Sequence, residues 1–240
     1  MGRAHLWFTD RNGGSSTGAY ASNNLGDHVG DDGVVVARNR RHLAARLVLP
    51  DPSRWQWLQQ VHGNDVVVVR DRPGVDPPRA DSAITASPGV PLAVLVADCA
   101  PIAIVGERAV GVVHAGWAGL ERGVVERAVD ALREVEAQAG GDPSQPPRAV
   151  LGPCIHPARY EFGADDLERL VQRFGTVVSA TTDHGTPAFD LPAAARVALA
   201  RAGVDELIDL GVCTAASADH FSHRRDGVTG RQAVVAVLMP

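Results

Sequence analysis

Lysine is absent from this chain: all 23 of its basic residues are arginine. That absence excludes a Schiff-base lysine and a phosphate-loop lysine. Any anion must instead be met by guanidinium groups or by backbone N–H donors. Cysteine is scarce too, and three in 240 residues make no disulfide framework. A reducing, cytoplasmic setting is the expectation. No apolar run approaches the roughly 18 residues that a membrane helix needs; the longest, Pro91 to Ala97, falls far short. The N-terminal Met1–Trp7 lacks the apolar stretch of a signal peptide. A net charge of −5 with scattered arginines argues against sequence-independent nucleic-acid binding.

What is present is a chain 45% hydrophobic, enough for one domain spanning residues 1–240. Residues 10–33 are rich in Gly, Ser, Asn and Asp and read as a long loop. Asp31 or Asp32 caps a helix running to about Leu47, with Val35, Leu43 and Leu47 among its apolar positions. Trp55 to Val61 reads as a strand, turning at Gly63-Asn64 into a returning strand from Asp65 to Val69. The segment from Asp81 to Val113 is strand-rich, with Leu92–Ala97, Ile102–Val105 and Val110–Val113 as candidates. A helical period runs from Gly119 to about Gln138, with Leu120, Val124, Ala128, Leu132 and Val135 on one face. Further along come a strand at 149–151, helices at 165–174 and 192–202, and a terminal strand at 231–238. The mixture predicts an α+β fold, mostly antiparallel sheets covered by outer helices.

Chemistry concentrates in two segments, Asp98-Cys99-Ala100-Pro101 and His114-Ala115-Gly116-Trp117. If residues 102–105 and 110–113 pair as a hairpin centred near Glu107, residue 100 opposes residue 114. Cys99 and His114 then share the open end of that hairpin, where opposed Cβ atoms lie about 5 Å apart. His62 stands beside Gly63-Asn64. One thiolate and two imidazoles suit zinc with a fourth position open. Spacing alone leaves the alternatives open, since a lone Cys can be a small buried hydrophobe and a lone His a hydrogen-bonded structural residue.

Several segments carry a resemblance. They are Asn24-Leu25-Gly26-Asp27-His28-Val29-Gly30-Asp31-Asp32, Gln60-Val61-His62-Gly63-Asn64-Asp65-Val66 and Ala97-Asp98-Cys99-Ala100-Pro101. They continue with His114-Ala115-Gly116-Trp117-Ala118-Gly119, Gly152-Pro153-Cys154-Ile155, Tyr160-Glu161-Phe162 and residues 224–231, Arg-Arg-Asp-Gly-Val-Thr-Gly-Arg. In this order, across nearly the whole chain, they resemble the bacterial YfiH-like family, once described as multicopper polyphenol oxidases or laccases and related to mammalian FAMIN. The resemblance implies a zinc enzyme acting on purine nucleosides: phosphorolysis of adenosine, inosine and methylthioadenosine, and deamination of adenosine. It implies His62, Cys99 and His114 as metal ligands and catalytic residues, with purine nucleosides and phosphate as partners. It also implies Asn24, Gln60, Asp98, Trp117, Glu161, Arg224 and Arg225 as substrate contacts. Trp117 offers an aromatic face for a base, and the Arg224-Arg225 turn offers forked donors for phosphate, although a packing tryptophan and a solvated charged loop are the plainer readings. The chain departs from the family pattern at Ala100, Arg159 and His223; the last two bear on the pocket wall, and so on substrate preference more than on the metal.

Copper-oxidase chemistry fits these residues poorly. There is no His-x-His pair, and the methionines are Met1 and Met239 alone, whereas a trinuclear copper cluster needs many histidines. A competing reading is a metal-free cysteine hydrolase acting on peptidoglycan precursors or amides, with Cys99 as nucleophile and His114 as base. A non-catalytic binding role finds no exposed amphipathic stretch or charge block to support it.

Overall fold

A computed structural model describes residues 4–71 and 76–239. In chain order these form β1 (Ala4–Phe8), α1 (Gly33–Leu47), β2 (Val66–Val69), β3 (Ser82–Thr85), β4 (Leu92–Val96), β5 (Ala100–Val105) and β6 (Val110–Ala115). Then follow α2 (Trp117–Glu121), α3 (Val124–Gln138), β7 (Arg148–Leu151), α4 (Ala164–Phe174), β8 (Ser179–Thr181) and β9 (Pro187–Phe189). The chain ends with α5 (Leu191–Arg201), β10 (Glu206–Asp209), the short α6 (His223–Asp226) and β11 (Gln232–Leu238).

Successive residues of a strand face opposite ways, and here both faces of the central strands are apolar. In β5, Ile102 and Ile104 point to one side, into a core with Ile84, Val113 and Leu151 that helices α3, α4 and α5 cover. The alternate residues Ala103 and Val105 point to the other side and meet Val94, Val234 and Ala236 of a second sheet. That second sheet is antiparallel, β1-β11-β4, and its outer residues Ala93, Leu95, Ala233 and Val235 pack with Leu43 and Ala44 of α1, Leu25 and Trp55. The larger sheet has the order β10-β7-β5-β6-β3-β2, antiparallel except for its outermost pairs β10–β7 and β2–β3. Two sheets face to face with helices outside are the α+β arrangement expected from the sequence. No helix among the described residues is long and apolar enough to cross a membrane.

Helix starts follow the capping residues. Asp32 caps α1 by accepting from the Val34 amide, and Asp190 caps α5 by accepting from the Ala193 amide. The inward face of α1 is Val36, Asn39, Leu43 and Ala44, with Val35 only half-buried. The expected helix over 119–138 is broken in two: Gly123, at φ 82°, separates α2 from α3. A left-handed residue cannot continue a right-handed helix, and glycine adopts that conformation without a Cβ penalty.

The expected hairpin around Gly63-Asn64 does not form. Residues 55–61 make only isolated bridges, Gln56 to Leu92 and Gln59 to Arg79, and β2 pairs in parallel with β3 instead. The reason is a buried carboxylate. Amides of Val61, His62 and Gly63 all donate to Asp81, so they are not available to a strand partner. Strands β1, β8, β9 and β10 were not foreseen; β8 and β9 have three residues each, too few for a periodic signal.

Candidate metal centre

The hairpin of β5 and β6 places the first two chemical groups. Its register pairs Ala100 with Ala115 and Pro101 with His114, one residue from the pairing expected. Cys99 sits just outside the ladder and His114 near its end, so both stand at the hairpin mouth. His62 enters from the unpaired segment before β2. The three donor atoms lie within 4.8 Å of one another. Cys99 Sγ is 3.6 Å from His62 Nε2, and the two imidazoles meet edge to face, 4.7 Å between centroids.

Zinc bonds of about 2.1 Å to nitrogen and 2.3 Å to sulfur at tetrahedral angles put neighbouring ligand atoms about 3.5 Å apart. The observed sulfur–nitrogen separation of 3.6 Å matches. A soft thiolate with two imidazoles is also the donor set that zinc accepts. His62 is exposed while His114 is buried, so the open side of the cluster lies toward solvent.

Asp81 organises this cluster. Its carboxylate has no exposed surface and accepts from His114 Nδ1 at 2.8 Å, from the His62 amide at 2.9 Å and from the Gly63 amide at 2.7 Å. The His114 amide donates to the Asp81 carbonyl at 2.7 Å. With Nδ1 so engaged, His114 presents Nε2 as the donor to the cluster. The same carboxylate holds the His62 backbone at φ 55°, a left-handed conformation uncommon for a residue with a side chain. Burial works against the charge of Asp81, yet the bonds from His114, Gly63 and Val61 keep its pKa below the ordinary value.

Asp98, at φ 92°, anchors the thiol side: Thr214 Oγ1 and the Arg224 amide each donate to it at 2.6 Å. Gly116 leaves the cluster room, since a Cβ there would lie 2.7 Å from His62 Cδ2 and 3.1 Å from Cys99 Sγ. Burial disfavours ionisation of Cys99, but the His114 charge and hydrogen bonds from both histidines prevail and lower its pKa to about 6. Burial likewise disfavours the imidazolium of His114, but the Cys99 charge and the Asp81 hydrogen bond prevail and raise it to about 9. The pair therefore favours thiolate and imidazolium near neutrality.

The other sequence candidates divide into two sets. Trp117 and Arg224 border an aromatic group: Trp117 meets Phe162 edge to face at 5.6 Å, and the Arg224 guanidinium lies over the Tyr160 ring at 4.9 Å. Glu161 is exposed, and its carbonyl accepts from Arg224 Nη1. The second set is occupied within the protein. Asn24 is fully buried, bonded to Gly26, Asp31 and the Arg231 amide. Gln60 pairs through both ends of its amide with the backbone of Leu95, and Asp98 is bonded as described. Arg225 directs Nη1 to the carbonyls of Thr214 and Ser217, Nη2 to His220 and Asp226, and Nε to Asp226. All five of its N–H donors are thereby engaged. Sequence reasoning missed Asp81, which stood out only as the start of a strand-rich segment; a buried carboxylate leaves no local signature. Arg231 had lain unremarked at the end of a matching motif.

Comparison with known proteins places the chain in a family. A family described as "multi-copper polyphenol oxidoreductase laccase" matches residues 5–239. A purine nucleoside phosphorylase of Streptomyces coelicolor is 44% identical over 235 residues, covering 96% of this chain and 93% of that protein. One from Mycobacterium tuberculosis is 40% identical over 228 residues, covering 93% and 87%. Among solved structures, YlmD from Geobacillus stearothermophilus superimposes with a TM-score of 0.87 at 33% identity, covering 99% and 92% of the two chains. YfiH from Bacillus licheniformis gives 0.88 at 28%, covering 98% and 92%. With its motifs in order and a match spanning nearly its whole length, the chain belongs to the laccase-like, YfiH-related family.

Proposed function

We propose that this chain is a zinc-dependent purine nucleoside enzyme. It carries out phosphorolysis of adenosine, inosine and methylthioadenosine, and deamination of adenosine. The observation that carries the reading is the His62–Cys99–His114 cluster, its donor atoms within 4.8 Å of one another and its sulfur 3.6 Å from His62 Nε2, in a chain whose relatives bear the name purine nucleoside phosphorylase. His62, Cys99 and His114 hold the metal, which supplies Lewis acidity near neutral pH when bound. Asp81 orients His114 and the His62 backbone. Trp117 and Phe162 offer aromatic faces for a purine, and Arg224 offers a guanidinium for phosphate.

Both reactions deliver a nucleophile to an electron-poor carbon. Phosphorolysis takes phosphate to ribose C1′, and deamination takes water to the base. The test supplies adenosine to purified protein, measures adenine and inosine separately, and varies phosphate. Adenine should rise with phosphate while inosine does not, and Cys99→Ala should lose zinc and both products. Full activity of Cys99→Ala without zinc would overturn the assignment.

One observation favours a second reading. Asp81 is bonded to His114 Nδ1 at 2.8 Å, and the Cys99 thiol, its pKa lowered to about 6, lies within 4.8 Å of the His114 ring nitrogen, an acid–imidazole–thiol order that suits a metal-free cysteine hydrolase acting on peptidoglycan precursors or amides. Protein purified with no zinc, hydrolysing such a substrate through a trappable thioester, would establish it instead.

A further inference from the structure

With no lysine in the chain, an anion near the metal centre must be held by arginine or by backbone amides. Arg225 is engaged through all five N–H groups, but the two arginines at either end of the same segment are not. Arg224 donates its backbone N–H to Asp98 Oδ2 at 2.6 Å, which seats it next to Cys99. Its Nη1 donates to the Glu161 carbonyl, leaving Nε and Nη2 without a protein acceptor among the described residues.

Arg231 is held more firmly still. Its amide donates to Asn24 Oδ1 at 2.9 Å, and its carbonyl accepts from the Leu25 amide. Its aliphatic stem lies across Gly26, where a Cβ would come within 2.8 Å of Arg231 Cγ. Nη1 donates to the carbonyls of Thr229 and Gly230, at 3.0 and 2.9 Å. Nε and Nη2 again have no protein acceptor among the described residues, and no carboxylate pairs with the group there. The β11–β4 register sets Gln232 opposite Val96, so Arg231 stands beside the segment that runs on through Ala97 and Asp98 to Cys99; burial there lowers the pKa of its guanidinium. Thr229, in the same turn, is 2% exposed, with an Oγ1 that has no hydrogen-bond partner. A half-buried guanidinium, fixed through its stem and with no carboxylate partner among the described residues, is costly unless something anionic completes it.

We propose that Arg231, together with Arg224, forms an oxyanion site beside the His62–Cys99–His114 cluster and holds inorganic phosphate as co-substrate. The inference rests on the phosphorolytic reading above and adds the residue that reading lacks. On its Nε–Nη2 edge each guanidinium has three N–H donors left in a planar fork, suited to two oxygens of a tetrahedral oxyanion. In the reaction a phosphate oxygen bonds to ribose C1′ as the C1′–nitrogen bond breaks; the purine leaves with that electron pair and takes a proton from solvent. Arg231 holds the phosphate in place and is not itself a proton donor, because a guanidinium stays charged at neutral pH.

The experiment compares wild type with Arg231→Gln and Arg231→Lys, and with Arg148→Gln as a distant arginine control. Zinc content and thermal unfolding establish that each variant is folded. Initial rates are then measured against phosphate, and adenosine deamination is followed in the absence of phosphate. Arg231→Gln should raise KM for phosphate by about tenfold or more, the loss of a charge-assisted fork. Its KM for nucleoside and its deamination rate should stay close to wild type, and Arg231→Lys should recover part of the phosphate KM. A folded, zinc-replete Arg231→Gln with unchanged phosphate KM overturns the inference. If wild type itself shows no phosphorolysis, the functional reading fails, and Arg231 is judged by the thermal shift that phosphate induces. A shift in wild type that is absent from Arg231→Gln upholds the anion site, and no shift in wild type overturns it.

Discussion

Replacing Asp81 by asparagine removes one charge and no volume, so it isolates what the carboxylate does. Its two oxygens accept from the amides of Val61, His62 and Gly63 and from His114 Nδ1. An asparagine keeps one acceptor oxygen. If that oxygen stays on His62 and His114, its NH2 group faces the Gly63 N–H, with 2.7 Å in the native pair, donor against donor. If the amide flips, His114 must turn Nδ1 into an acceptor, which moves its proton to Nε2 and blocks the metal-binding nitrogen. Either choice strands a buried donor at about 1–3 kcal/mol and loses charge-assisted bonds worth about 1.5–3 kcal/mol each. Asp81→Asn should therefore cost about 3–5 kcal/mol, the usual range for breaking a buried charged pair. Zinc affinity should fall about 10–100-fold, as for the loss of a carboxylate behind a ligating histidine. Equilibrium urea unfolding of the metal-free protein reads the first quantity, and competition with a chromophoric chelator reads the second. A loss below about 1 kcal/mol together with unchanged zinc affinity would refute the role given to Asp81.

Three further outcomes are expected. Metal-free protein should be alkylated by iodoacetamide at Cys99 with a midpoint near pH 6, since the thiolate is present above that pKa and lost below it; a midpoint near pH 9 would show that the histidines do not hold the charge. Gly116→Ala, at an ordinary extended backbone angle (φ −76°), should fold but bind less zinc, because its Cβ would stand 2.7 Å from His62 Cδ2; full zinc content by elemental analysis would refute this. Gly123→Ala, at φ 82°, should lose about 1–2 kcal/mol in urea unfolding with zinc retained, whereas loss of zinc would place the α2–α3 break inside the metal centre's support.

Legibility in the sequence followed the range of the interaction. Helices α1, α3 and α5 were readable because caps and apolar periods lie within a few residues of each other, as with Asp32 before Val36 and Leu43. The β5–β6 hairpin was readable to one residue because the turn at Gly106-Glu107-Arg108 is short. The break at Gly123 was not read, since a glycine within an apolar period does not announce its φ. Residues 55–69 misled for a different reason. Their apparent strand–turn–strand pattern is real as a pattern, but the amides of Val61 to Gly63 are claimed by Asp81, some twenty residues on in the chain. The three cluster residues came from motifs and hairpin logic, whereas the engagement of Asn24, Gln60 and Arg225 inside the fold depends on partners that only the structure brings near.

The shared anchoring through Asp81 has a consequence for how the cluster tolerates motion. His62 and His114 take their positions from one carboxylate, through bonds of 2.9 and 2.8 Å, so a displacement of the chain before β3 carries both imidazoles in the same direction. Their errors are correlated, and their mutual spacing is conserved even while their common location drifts. Cys99 is tied to His114 by the β5–β6 ladder and fixed further through its neighbour Asp98 to Thr214 and Arg224. His114 is thus the member shared by both anchorages, and a disturbance of either one is registered mainly in the distance between the thiol and the His62 imidazole.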